Sequence, residues 1–331
     1  MIETGKKSSQ SIELDKLTKD DVIMLNYTSG TTGAPKGVKI HAFGAVVNCV
    51  CALHVMDCDH NDTLVSYLPS PHAFDQIMFG IAVMIGARVG YYHGDTLKLT
   101  EDCQVLKPTV FPSVPRLYNK IFAQIQGGFS KLTGCKKWLA DKAVASKTYY
   151  LNKDASYHHG CYDSLIFGKV QKLLGGQMRF MVTASAPISK EVLDMMKIAF
   201  ACPVIEAYGL SETLGGSNLT LPNDPISGTV GGPCLTYTMK LKDLPHMDYR
   251  LTDKPFPRGE ILIGGPGNFR GYFNNPEKTA EMLDQDGFVH TGDVGVLYPN
   301  GSVKILDRSK NIFKLAQGEY LAPEKLENIY I

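Results

Sequence analysis

Val22-Ile-Met-Leu-Asn-Tyr-Thr-Ser-Gly-Thr-Thr-Gly-Ala-Pro-Lys-Gly-Val-Lys-Ile40 reads as two short strands, a buried one over Val22 to Tyr27 and a second over Gly37 to Ile40, around a turn of small polar residues. The turn, Thr28 to Gly37, packs four hydroxyls, three glycines and one lysine into ten positions. That composition suits a polyphosphate. Glycines let the backbone approach, hydroxyls and amides donate to phosphate oxygens, and Lys36 supplies a point charge. It is not a Walker loop, because Pro35 and Gly37 stand where G-x-x-x-x-G-K-[ST] needs Gly and then Ser or Thr.

Outward from the turn, Ala42 to Met56 reads as an apolar helix, and the pattern then alternates. Strands are expected at Thr63 to Tyr67, Arg88 to Tyr92, Thr109 to Phe111, Met178 to Thr183 and Pro203 to Tyr208. Helices are expected at Phe74 to Gly86, Pro115 to about Gln126, and Ser189 to Phe200, the last opened by a Ser cap with Glu191 in its first turn. This rhythm predicts α/β layers with parallel pairing. From about Leu214 glycine and proline become denser, and GEILIGG, GFVHTGDVG and GSVKILD carry period-2 patterns between turns, which predicts a mostly β subdomain. The expected organisation is a lead-in over 1–21, an α/β core over 22–213, a β-rich unit over 214–306, and a hinge with the start of a further domain over 307–331. The end, just after the helix start Pro323-Glu-Lys-Leu-Glu327, reads as a cut.

With 331 residues, at about 150 per domain, the chain has room for roughly two domains, and 44% hydrophobic residues exclude a disordered tail. Lys plus Arg number 34 against 33 Asp plus Glu, so nothing in the charge argues for nucleic acid as a partner. The eight cysteines form no C-x-x-C pair, which suits a reducing compartment. Residues 1–20 lack the apolar core of a signal peptide, so Asn26-Tyr-Thr and Asn218-Leu-Thr are expected to be unglycosylated and the protein to face the cytosol. Ile40 to Met56 contains no Asp, Glu, Lys or Arg, but His41, Asn48 and His54 interrupt it and it is short for a membrane span. Lys131 to Asp154, with six lysines and two aspartates in a helical pattern, is either a solvated face or a surface for peripheral membrane association.

Two further patterns lose their anchor. Gly209-Leu-Ser-Glu-Thr213 lacks the last Gly of a hydrolase elbow, and Gly265-Pro-Gly267 is followed by Arg270 where a dinucleotide loop needs Gly. What remains at Glu206-Ala-Tyr-Gly-Leu-Ser-Glu-Thr213 offers an aromatic, a carboxylate and a hydroxyl together, a set suited to adenine, Mg2+ and phosphate.

Tyr27 to Val38, Tyr208-Gly-Leu-Ser-Glu-Thr213, Thr291-Gly-Asp293 and Asp307-Arg308 follow one another in an order that resembles the adenylate-forming enzymes. Asp286 to Gly295, Val114-Pro-Arg-Leu-Tyr118 and Lys314-Leu-Ala-Gln-Gly-Glu-Tyr320 resemble the long-chain fatty acid branch of the acyl-CoA synthetases. The resemblance implies layered α/β sheets followed by a distorted β-barrel subdomain, together forming part of the family's large domain. It implies ATP-dependent activation of a long-chain fatty acid to acyl-AMP, then to acyl-CoA, with ATP, Mg2+ and coenzyme A required.

Carried over position by position, the resemblance puts Thr28, Ser29, Gly30, Thr31, Thr32, Gly33 and Lys36 around the β- and γ-phosphates. Glu212 becomes the Mg2+ ligand, helped by Thr28, and Thr213 reaches the phosphate. Tyr208 with Ser185, Ala186 and Pro187 forms the adenine slot, beside Glu206, Ala207 and Gly209. Asp293 and Arg308 bond the ribose hydroxyls, Lys310 falls at the hinge, and His72 and Phe74 lie on the acyl side. The helix Gln76 to Ala87, with Met78, Phe79, Ile81 and Met84, either lines an acyl tunnel or fills the core. The family's adenylation lysine has no counterpart here, so the expectation is a nucleotide-binding core with impaired turnover. Alternatives are a ligase for aryl or amino acids and a non-catalytic nucleotide- or lipid-binding product. The resemblance leaves the organelle open between endoplasmic reticulum and peroxisome.

Overall fold

The computed structural model of the chain describes residues 16–28, 35–224, 226–314 and 320–321. β1 (Val22–Thr28) and β2 (Lys36–His41) form an antiparallel hairpin whose register sets Thr28 opposite Lys36. α1 (Ala42–Val55) follows directly, capped by His41, whose Nδ1 accepts from the Gly44 N–H at 3.2 Å. Alternation then runs through β3 (Thr63–Ser66), α2 (Ala73–Ile85), β4 (Arg88–Tyr91), α3 (Leu99–Leu106), β5 (Val110–Ser113) and α4 (Pro115–Ser130). α5 (Gly134–Asp154), β6 (Phe180–Thr183), α6 (Lys190–Phe200) and β7 (Val204–Tyr208) complete it. Ser189 caps α6 through the Val192 N–H, as its sequence predicts.

These strands, with the short β8 (Asn218–Leu219) and β9 (Gly232–Pro233), build a seven-stranded sheet in the order β4-β3-β5-β6-β7-β8-β9. Its first five strands are parallel, and β8 and β9 pair antiparallel. Neighbouring residues within each strand point to opposite faces, and both faces are covered. Leu64, Val110, Val182 and Ile205 pack with Val47, Ile77 and Ile81 of α1 and α2. Val65, Phe111, Met181 and Val204 pack with Tyr118, Leu151, Leu193 and Met196 of α4, α5 and α6. A sheet buried on both sides is what near-continuous apolar strands joined by helices require.

The second sheet is antiparallel, in the order β10 (Thr238–Lys242), β11 (Arg258–Gly264), β12 (Phe288–Leu297) and β13 (Val303–Arg308). α7 (Pro276–Met282) lies between β11 and β12 in the chain, and β14 (Phe313–Lys314) pairs with β15 (Tyr320–Leu321). The sheets meet at Gly231. There the Val230 N–H donates to the Val303 carbonyl at 2.8 Å and the Val303 N–H to the Gly231 carbonyl at 3.0 Å.

The structure departs from expectation in several places. β1 is not a buried strand: Val22, Ile23, Leu25 and Tyr27 are exposed, because a two-stranded ribbon covers little of its own surface. In line with expectation for the two Asn-x-Thr tripeptides, Asn26 is buried and bonded to Gln76, and Asn218 is buried as well. α3 went unanticipated, as did a helical run over 160–174 that contains a π turn at Asp163–Phe167. Met78 and Ile81 of α2 sit in the core, whereas Phe79 and Met84 are exposed. Among the described residues no helix is long and apolar enough to cross a membrane.

Candidate functional site

A cavity of about 1500 Å3 opens outside the carboxyl ends of β6 and β7, facing the ends of β12 and β13. Crevices at the carboxyl ends of parallel strands are where α/β sheets bind ligands, because the backbone there is free of the ladder and can be shaped by loops. Thr28 and Lys36 line it from the hairpin, His72 and Phe74 from the start of α2, and Ser185, Ala186 and Pro187 from the loop after β6. Glu206, Ala207, Tyr208, Gly209 and Glu212 line it from β7 and its turn, and Asp293, Arg308 and Lys310 from the second sheet. Ser29, Gly30, Thr31, Thr32 and Gly33 lie outside the described residues.

On the cavity wall formed by the second sheet, the β12–β13 register sets Asp293 opposite Arg308. The Arg308 Nε lies 3.3 Å from one Asp293 oxygen, and the Tyr208 hydroxyl donates to the other at 2.7 Å. Burial pushes the Asp293 carboxyl up, while Tyr208 and Arg308 pull it back. Beside the hairpin, Glu212 is buried and accepts a short hydrogen bond from the Tyr272 hydroxyl, and Lys36 Nζ lies over the Tyr272 ring at 5.2 Å from its centroid. Tyr272 itself is fixed by a bridge to Val38 and by its N–H, which donates to Thr279 Oγ1 at 2.9 Å. Gly209 is required where the chain leaves β7, since a Cβ there would fall 2.7 Å from the Gly215 backbone.

Thr213 is the residue that stands apart. It is fully buried, its hydroxyl bonds the Leu210 N–H and carbonyl, and Ser211 faces the cavity instead. His72 caps α2, its Nδ1 accepting from the Phe74 N–H, and Phe74 is buried at the cavity's rim. Tyr272, Lys278 and the loop 226–230 are wall elements that the sequence reading passed over. The Gly271-Tyr-Phe-Asn-Asn-Pro276 cluster marks a turn, but the pairing of Val38 with Tyr272 is far too distant in sequence to be read from it. Ser185 holds a left-handed φ of 77°, strain of the kind that gathers at binding loops.

A family model described as "AMP-binding enzyme" matches residues 2–273. The chain belongs to that family. The AMP-binding enzymes it resembles in sequence include human long-chain-fatty-acid–CoA ligase 1, 43% identical over 316 residues, covering 94% of this chain and 45% of that protein. Long chain acyl-CoA synthetase 6, peroxisomal, of Arabidopsis thaliana is 44% identical over 313 residues, with 94% and 44% covered. The chain thus spans under half the length of the curated relatives it matches. Among solved structures, the adenylation domain of a carboxylate reductase from Mycobacterium chelonae superposes with a TM-score of 0.74 at 29% identity, covering 94% of this chain and 44% of that one.

The cavity wall at Glu206 and the loop 226–230 carries a buried charged network. Lys197 Nζ donates to Ser227 Oγ at 3.0 Å, and Ser227 Oγ donates to Asp194 at 2.6 Å. Glu206 accepts from the Gly228 N–H at 3.3 Å. Burial pushes the Glu206 carboxyl up to about 7, with Gly228 and Lys197 acting against the shift. The unfolded chain releases that proton near the ordinary value of about 4.3. Between those values the native state holds more protons, so this group's contribution to stability falls as pH rises through the window. Glu206→Gln is expected to flatten that slope. In scanning calorimetry between about pH 5 and about pH 8 the variant's melting temperature should fall less than the parent's; equal slopes would exclude Glu206 as the group responsible.

Among the described residues no group of three or more His, Cys, Asp or Glu could hold a metal by itself. A lone carboxylate such as Glu212, in a cavity that Thr28 also lines, fits a cation of the Mg2+ type, which keeps waters and is held largely through substrate phosphates.

Proposed function

We propose that the protein activates long-chain fatty acids, joining the carboxylate to the α-phosphate of ATP and then passing the acyl group to coenzyme A. The observation that carries this reading is the single cavity that gathers the Asp293–Arg308 pair with Lys36, Thr28 and Glu212. Identity of 41 to 44% to curated long-chain-fatty-acid–CoA ligases supports the choice of acid.

In this reading the Asp293 carboxylate accepts hydrogen bonds from the ribose hydroxyls, and Tyr208 packs against the base. Lys36 and Thr28 bind the β- and γ-phosphates and hold pyrophosphate in line as the leaving group. A carboxylate is a poor electrophile because its charge is delocalised; attack by its oxygen on the α-phosphorus makes a mixed anhydride that a thiol then cleaves. Glu212 and Thr28 would hold Mg2+, which would supply charge neutralisation on the phosphates. His72 and Phe74 mark the side from which the acid approaches. Ser211, which lines the cavity where Thr213 does not, takes the phosphate contact expected of Thr213. Lys310 serves as the hinge about which a further domain closes.

Peripheral membrane association belongs to the same proposal. α5 buries Ala140, Ala143, Lys147 and Leu151 and leaves Trp138, Tyr149, Lys136 and Lys142 exposed.

The test is ATP–pyrophosphate exchange, run with a saturated long-chain acid, an aromatic acid and an amino acid. Exchange, slow because the family's adenylation lysine has no counterpart here, is expected with the long-chain acid at least about tenfold above the others. Preference for either of the others would overturn the assignment of the acid.

A further inference from the structure

Beyond Lys36, the phosphate end of the cavity holds a second set of charges on α7. Lys278, Glu281 and Met282 line the same cavity as Thr28, Lys36 and Glu212. Both Glu281 oxygens accept from Lys278 Nζ, each at 2.6 Å. The helix is set in place by the segment that carries Tyr272. Asn275 caps it through the Lys278 N–H at 3.1 Å, Thr279 Oγ1 accepts from the Tyr272 N–H, and the Phe273 N–H donates to the Gly37 carbonyl at 2.7 Å. The same aromatic, Tyr272, touches Glu212 and Lys36. One short stretch of chain thus ties α7 to the base of the phosphate loop.

Glu281 is the anion in this cluster. Lys278 first, then Lys36 and Lys310, hold its carboxyl below the usual range, so three cations act on one carboxylate. Its side chain is 61% exposed, and an ion pair in such a setting contributes little and breaks readily. A ligand bringing several negative charges to the same lysines outcompetes a single carboxylate.

We infer that Glu281 is an anionic placeholder at the phosphate end of the cavity, displaced when a polyphosphate arrives, and that Lys278 is then transferred to that polyphosphate as an additional binding cation. The ligand class is a nucleoside triphosphate or pyrophosphate; a nucleoside monophosphate, which has no β- or γ-phosphate, leaves the pair in place. The inference rests on the nucleotide reading above and adds residues that discriminate ATP from AMP.

Titration calorimetry of this chain with ATP, AMP and pyrophosphate, each with Mg2+, tests it. Glu281→Gln is expected to tighten ATP and pyrophosphate several-fold while AMP stays unchanged, because the competing charge is gone and the shape is kept. Lys278→Ala is expected to weaken ATP and pyrophosphate roughly tenfold and AMP not at all, and Lys278→Arg to retain most of the affinity. Both positions are on the surface of a short helix, so neither substitution disturbs a core. Equal effects on ATP and AMP, or no effect of Glu281→Gln on ATP where AMP still binds, would overturn the inference alone. Failure of the unaltered chain to bind either nucleotide would overturn the nucleotide reading and this inference with it.

Discussion

Replacing Glu212 by alanine should weaken Mg-ATP binding by roughly 10- to 100-fold, the loss typical of removing a group that holds or orients a metal. Glu212 is 7% exposed and receives the Tyr272 hydroxyl, so its carboxylate is held in one orientation toward the cavity. Glu212→Gln separates charge from shape. The amide oxygen can still accept from Tyr272, but the negative charge that holds the cation is gone. If the metal assignment is right, Gln loses about as much affinity as Ala, and the loss disappears when Mg2+ is omitted from both titrations. Near-normal Mg-ATP affinity for Glu212→Gln would make the residue a structural partner of Tyr272 and nothing more. Lys36→Ala should cost roughly tenfold or more, since a hydrogen bond to a charged group contributes about 1.5 to 3 kcal/mol. Its effect, unlike that of Glu212, should persist without Mg2+.

The largest effect on folding is expected from Gly231→Ala. Gly231 has a φ of +69°, and a Cβ there would lie 2.0 Å from the Leu219 carbonyl oxygen, a backbone atom that cannot step aside. The left-handed conformation costs about 1 to 2 kcal/mol and the overlap another 1 to 3, so a loss of about 3 kcal/mol is expected. For a chain of this size that corresponds to a fall of roughly 4 °C in melting temperature. Gly301→Ala is the control: φ is +82°, but nothing lies within 4 Å of its added Cβ, so only the conformational part is lost. A similar small shift for both variants would mean the seam relaxes. Because Gly231 joins the seven-stranded sheet to Val303 of the antiparallel sheet, its loss should also loosen the cavity wall at 226–230.

How much of this was legible in the sequence varies with the kind of signal. The parallel core was readable because strands such as Val110 to Ser113 and Phe180 to Thr183 are short, apolar and separated by helical patterns. α3 was also within reach: Leu99, Cys103 and Leu106 form an i, i+4, i+7 stripe that the reading did not use. The exposure of β1 was not, because Val-Ile-Met-Leu looks buried unless one knows that only β2 pairs with it. In the site, Asp293 and Arg308 were picked out by motif, and the β12–β13 register then sets them opposite each other. Tyr272 and Lys278 could not be picked out, since they owe their place to a bridge with Val38 that no local pattern encodes. The same limit explains Thr213. Its motif position marks it, but the turn at Ser211–Thr213 folds its hydroxyl back onto Leu210, away from the cavity.

The central claim is that a single cavity seats a whole nucleotide, with ribose at Asp293 and phosphates at Lys36 and Glu212. A crystal structure of the chain with Mg-ATP tests it most directly. The account predicts ribose hydroxyls within hydrogen-bond distance of Asp293 and the β- and γ-phosphates between Lys36 and Glu212. Electron density for ATP elsewhere on the protein, or in this cavity with its triphosphate turned toward Asp293, would contradict it.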